Sequence, residues 1–174
     1  MRWKKLAILA LVGVLGFSIG TTVKIVYEAS IFKPYEWPVN SPPIIINCYG
    51  EDFSAAQLTR AIDYWTIRGQ HIGFYEHNPS SSICENEWLE GFIILRKSEA
   101  LRKNDRTLAN TKRYTSLTTM RGAVIHYTPG AQNLDLINEH ELGHALGFSH
   151  VEQVGHIMHP LYHKMGRDFS VQSK

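Results

Sequence analysis

The chain has 174 residues, a length that suits one domain plus some extra material. Apolar residues make up 44% and charged residues 20%, which allows a packed core and excludes wholesale disorder. The formal charge of +2 belongs to the front end, where Arg2, Lys4 and Lys5 precede any acid; beyond residue 20 the remaining basic side chains fall one short of the 16 acidic ones. With no basic stripe and no aromatic–basic interleaving, nothing points to a nucleic-acid partner.

Met1–Lys5 is a short basic head, and Leu6–Val23 holds no charged residue. Such a pair directs a chain across a membrane with its positive end retained inside. Residues 1–27 are therefore expected to be a signal peptide cleaved near Ser18-Ile19-Gly20 or a retained transmembrane anchor. The absence of an A-x-A site favours the anchor, and a buried core helix is the bland alternative. In the first two cases the rest of the chain is exported, either secreted or tethered outside the cytoplasm. Residues 28–43, with Pro34, Pro38, Pro42 and Pro43, read as a stiff linker.

Ile44-Ile45-Ile46 opens a β-branched run that reads as a buried strand. Cys48 and Cys84 would close a loop of 36 residues if they pair in an oxidising compartment, and are otherwise two buried thiols. Ser54 is positioned to cap a helix in which Leu58, Ala61, Ile62 and Trp65 recur at helical spacing, with Gly69 to stop it. Gly73–Glu76 and Gly91–Leu95 read as strands around turn chemistry at Asn78–Ser82. Thr107–Arg113 alternates as an edge strand would, and Ala123–Tyr127 is a further apolar strand. After Pro129-Gly130, Asn133 or Asp135 can cap a helix through Leu136, Ile137, Leu142, Ala145 and Leu146.

The chemistry lies in His140-Glu141-Leu142-Gly143-His144-Ala145-Leu146-Gly147-Phe148-Ser149-His150. Helix positions i and i+4 share a face, so His140 and His144 can aim two imidazole nitrogens at one zinc ion. Glu141 stands beside the metal rather than on it, the place for a catalytic base. Gly147 can take positive φ, stop the helix and let the chain return His150 as third ligand. Three ligands leave a fourth position open, as a catalytic zinc site requires.

This segment resembles the zinc signature of the metzincins, H-E-x-x-H-x-x-G-x-x-H followed by a methionine turn. The short interval to Met158 and the string Met158-His159-Pro160-Leu161-Tyr162 resemble the matrixin group, to which the matrix metallopeptidases belong. The resemblance spans roughly Ile44 to Tyr162. It implies an α+β, zincin/metzincin-like fold: a twisted mixed sheet with an upstream helix and an active-site helix, over residues 44–174. It also implies a zinc-dependent endopeptidase acting on a protein or peptide substrate. Met158 would form an apolar floor beneath the ligands.

The chain departs from the group in several places. The stretch before Ile44 has no cysteine to block zinc, Val151 replaces a usual serine, and few residues follow Met158, so the closing helix is shortened or lost. His126 falls where a structural ligand is found in that group, but reads here as a satisfied strand histidine. His156, His159 and His163 admit a second metal, though solvated or hydrogen-bonded loop histidines are the plainer reading. Tyr162 packs in the specificity pocket or, less simply, steadies an oxyanion. A zinc-stabilised binding module without activity, and a hydrolase of cell-wall peptide cross-links, remain alternative functions.

Overall fold

The computed structural model describes residues 32–77, 82–101 and 107–170. The signal or anchor segment lies outside these, as does most of the Asn78–Ser82 turn. Among the described residues no helix is long and apolar enough to cross a membrane. Residues Pro34–Lys174 form one compact unit.

A mixed five-stranded sheet organises this unit. Its strands are β1 (Ile44–Asn47), β2 (Tyr75–Glu76), β3 (Phe92–Lys97), β4 (Ala109–Ser116) and β5 (Thr119–Tyr127), in the order β2-β1-β3-β5-β4. All neighbours run parallel except β4, which returns antiparallel along β5 and forms one edge. Two helices complete the α+β fold: α1 (Ala55–Thr66) and α2 (Ile137–Ala145). The expected order of strand, helix, several strands and helix is present. The second strand is only two residues long, and the edge strand runs on to Ser116.

Register and pleat divide the core. Ile46, Ile94 and Val124 lie in one row on one face, with Cys48, Ile83, Trp88, Phe92 and Tyr114 packed on them. Ile45, Ile93 and Ala123 form the adjacent row, which strand alternation turns to the opposite face. Thr111 and Arg113 pair with Ile125 and Ala123 and so share that second face, against which α2 lies. On the first face Trp88 stacks on Tyr114 at 4.5 Å between ring centroids. Gly122 leaves room for that stack, since a Cβ there would stand 2.8 Å from the indole and 2.7 Å from the Leu89 carbonyl.

Helix α1 starts as its sequence dictates: the Ser54 side chain accepts from the Gln57 N–H at 3.3 Å. Leu58, Ala61, Tyr64 and Trp65 are its buried stripe. Helix α2 starts differently. Neither Asn133 nor Asp135 caps it; Leu136 takes the cap position at φ 65°, with no side-chain bond. Asp135 instead accepts from Arg167 at 2.9 and 3.2 Å, a charge-assisted pairing that takes the carboxylate away from the helix.

The two cysteines are joined, with Cα atoms 5.4 Å apart, tying the end of β1 to the single turn Ser82–Glu85. Closing a loop of 36 residues restricts the unfolded chain by about 3–4 kcal/mol. Replacing both cysteines with serine should lower unfolding free energy by roughly that amount in a denaturant titration. An unchanged midpoint would show that the link contributes nothing.

Candidate metal centre

Helix α2 carries the first two histidines one turn apart, and Gly147 turns the chain after it. Gly147 has φ 106°, and a Cβ there would collide with the Tyr35 backbone carbonyl, so the position needs glycine for two reasons. Trp65 of α1 stacks on Phe148 at 4.8 Å and 18°, and Phe169 meets both rings edge-on. This aromatic cluster fixes the turn that returns His150.

The three rings converge. The Nε2 atom of His144 lies 3.1 Å from that of His140 and 3.0 Å from that of His150. His140 is buried, His144 half-buried and His150 exposed, and the triad can hold a metal ion. The other ring nitrogens decide the tautomers. His140 Nδ1 stands 2.8 Å from the Ile157 carbonyl, and His144 Nδ1 stands 2.9 Å from the Phe148 carbonyl. A carbonyl oxygen carries no hydrogen, so both Nδ1 atoms donate and both Nε2 atoms present lone pairs. Two lone pairs facing each other at 3.1 Å repel unless a cation sits between them. Two zinc–nitrogen bonds at a tetrahedral angle would separate their nitrogens by about 3.3 Å. The donor set therefore fits zinc, and carbonyl anchoring of the remote nitrogens is what a zinc-binding histidine needs.

Burial has an electrostatic consequence. It lowers His140 to about 4, partly offset by the Ile157 carbonyl, and lowers His144 to about 3, with His140 adding to the effect. His150 is lowered too, chiefly by burial. All three favour the neutral form that a metal requires.

Around the triad the packing is close. Gly143, in the middle of α2, has no room for a side chain: a Cβ would meet the Met158 sulfur and the Trp65 ring. Met158, fully buried, thus lies directly against the zinc helix, as the floor was expected to. Trp65 Nε1 donates to the Glu139 carbonyl at 2.7 Å, pinning the helix from the same side. At the end of the helix, Trp37 Nε1 donates to the Ala145 carbonyl at 2.9 Å, satisfying an orphan acceptor of the last helical turn. Glu36 pairs with the β4–β5 hairpin through Thr118 and Met120 at 3.0 and 2.8 Å. The proline-rich stretch is thus engaged from Tyr35 to Trp37.

Glu141 is 5% exposed. Burial pushes its carboxyl up to about 7, against the lowering hydrogen bond from Thr111, whose Oγ1 donates to Oε2 at 2.6 Å. A cleft of about 690 Å³ opens over the triad, floored by α2 and flanked by residues 107–111 of the edge region, Arg113, and the 160–163 segment. Tyr162 lines it at 40% exposure.

The remaining histidines do not join this centre, and His140, His144 and His150 form the one such cluster among the described residues. His156 accepts from the Met158 N–H at 3.0 Å and reaches the Phe169 carbonyl at 3.0 Å, while His159 accepts from Leu161 N. His126 is half-buried on β5, its pKa lowered by burial and by Arg96 and Lys112. Sequence reasoning missed Thr111 and Gly143. The alternation of β4 was visible, but not the register that turns Thr111 towards Glu141.

The pH dependence of metal-free protein follows. Folded pKa values of about 4 and 3, against about 6.5 for a free imidazole, mean that the unfolded chain binds more protons below pH 6.5. The two histidines therefore make stability rise with pH in that window and fall as pH drops from about 6.5 towards 3. The single buried Glu141 carboxyl opposes this in part, because it keeps its proton in the folded chain up to about pH 7. Thermal melts in chelator should show this slope, and it should flatten when His140 and His144 are both replaced by asparagine.

No curated protein matches this chain. The sequence model of the matrixin family matches residues 55–174, a span that takes in both helices, the three histidines and the methionine beneath them. Taken with a triad that can hold a metal ion, that match makes the chain a member of the matrixin family, a zinc metalloendopeptidase.

Proposed function

We propose that His140, His144 and His150 hold the zinc, that Glu141 is the general base, and that the protein cleaves extended peptides outside the cytoplasm. The convergence of three Nε2 atoms at 3.0–3.1 Å carries the reading. Its support from position is that Glu141 lines the same cleft as the triad. Matrixins are typically extracellular or secreted, which agrees with the basic head and apolar body of residues 1–27 acting as a signal or an anchor. Residues 44–174 then form the catalytic domain, on which Tyr35–Trp37 of the 28–43 stretch also pack, and the rest of that stretch leads back to the N-terminal segment.

Bound zinc would supply Lewis-acid chemistry, polarising the scissile carbonyl and making water acidic near neutral pH. The protein's own groups do the rest. Thr111 holds Oε2 of Glu141, and among the described residues Oε1 has no partner. That oxygen takes the proton from the attacking water and passes it to the leaving amine. A peptide lies along the free edge of β4, where unpaired backbone groups accept an added strand, and the cleft beside that edge brings its carbonyl over the triad.

Glu141→Ala should retain stoichiometric zinc and lose 10²–10⁴-fold in kcat, about the value of a positioned base. Digestion at the wild-type rate would remove Glu141 from the role. Thr111→Val should cost about ten-fold in kcat with KM unchanged, and Thr111→Ser should restore it.

A further inference from the structure

We infer that Arg113 is a specificity-determining residue that selects an acidic side chain in the substrate, on the N-terminal side of the scissile bond. The inference rests on the peptidase reading above and adds a substrate class to it.

Arg113 lies two residues beyond Thr111 on β4 and turns to the same face, because strand side chains alternate. It lines the cleft alongside His144 and His150. Among the described lining residues it is the one permanent cation, and Glu141 is the one carboxylate. The rest of the cleft is apolar, neutral or imidazole. An acidic substrate therefore meets attraction at Arg113, and would meet more at a zinc ion held by the triad, whereas a basic one is repelled at Arg113.

The guanidinium is held but not neutralised. Its Nη1 donates to the Phe148 carbonyl at 3.3 Å, and its carbon sits 5.0 Å over the Tyr35 ring. Among the described residues no carboxylate lies within ion-pair distance of it, and Glu152, close enough to act on His150, makes no such pair. Four of its five N–H donors remain for another partner. A half-buried cation with no counter-charge is costly, and its planar fork matches a carboxylate in two-point fashion. The two fixed contacts orient the fork in advance, so little ordering is needed when a ligand arrives.

The side of the bond follows from direction. Thr111 faces Glu141, which marks the reacting centre, and Arg113 lies further along β4. A substrate strand running antiparallel to β4 reaches Arg113 with residues that precede the bond.

The experiment uses peptides identical except for Glu, Gln or Lys at each position around the cleaved bond. Wild-type protein should prefer Glu over Gln by about ten-fold in kcat/KM at one position before the bond, and disfavour Lys. Arg113→Gln should abolish the preference, Arg113→Lys should keep part of it, and Arg113→Glu should reverse it towards Lys. A purely structural arginine would lower all three substrates together. Anisotropy binding of the same peptides to zinc-loaded Glu141→Ala reads the preference without turnover. If nothing is cleaved but the Glu peptide still binds tighter through Arg113, the peptidase reading fails while the acidic preference of Arg113 stands. Equal binding and cleavage of Glu and Gln peptides, or a preference that survives Arg113→Gln, overturns it.

Discussion

Three imidazole nitrogens gathered with spacings of 3.0–3.1 Å, at least two of them with lone pairs turned inward, are the constraint on which the structure depends. Such an arrangement is unfavourable in itself, and the protein maintains it by fixing the far side of two rings. The Ile157 and Phe148 carbonyls hold the Nδ1 hydrogens, so neither ring can flip its proton inward to relieve the crowding. These carbonyls belong to the segments just after the helix and just before Met158. The turn at Gly147 and the methionine beneath the helix are therefore parts of one device that keeps the nitrogens aimed.

Packing explains two small residues of the motif that coordination alone does not. Gly147 lets the chain turn at a φ that an L side chain resists, and it also admits the Tyr35 carbonyl. Gly143 holds no special backbone angle; it is small because Met158 and Trp65 press on the helix from below. Removing either gap would displace the helix axis relative to the sheet, and with it the distance between Glu141 and Thr111. The placing of the triad and of Glu141 is set by what lies under and behind the histidines.

The sequence was most legible where periodicity and chemistry coincide. The Ser54 cap, the Trp65-bearing helix, the isoleucine strand and the histidine spacing each followed from local pattern. The edge strand was legible as an alternation, but its inward face was not, because register is a property of two strands and the partner was unknown. Thr111 and Arg113 were hidden for that reason. The start of the zinc helix misled differently: Asp135 has the chemistry of a cap, yet Arg167, 32 residues later in the chain, competes for its carboxylate and wins. The cysteines could be read either way, since pairing depends on how β1 and the 82–85 turn meet.

One consequence concerns the front of the folded unit. The family match begins at residue 55, yet the carbonyl that seats against Gly147 and the indole that caps the zinc helix come from residues 35 and 37. The run of prolines that follows, with Val39 at 84% exposure, is open to solvent and to a protease. A cut there would leave the entire signature intact while stripping the brace from the last helical turn. An unbroken signature is thus not by itself an intact metal-binding turn, because part of its support comes from residues ahead of the family match.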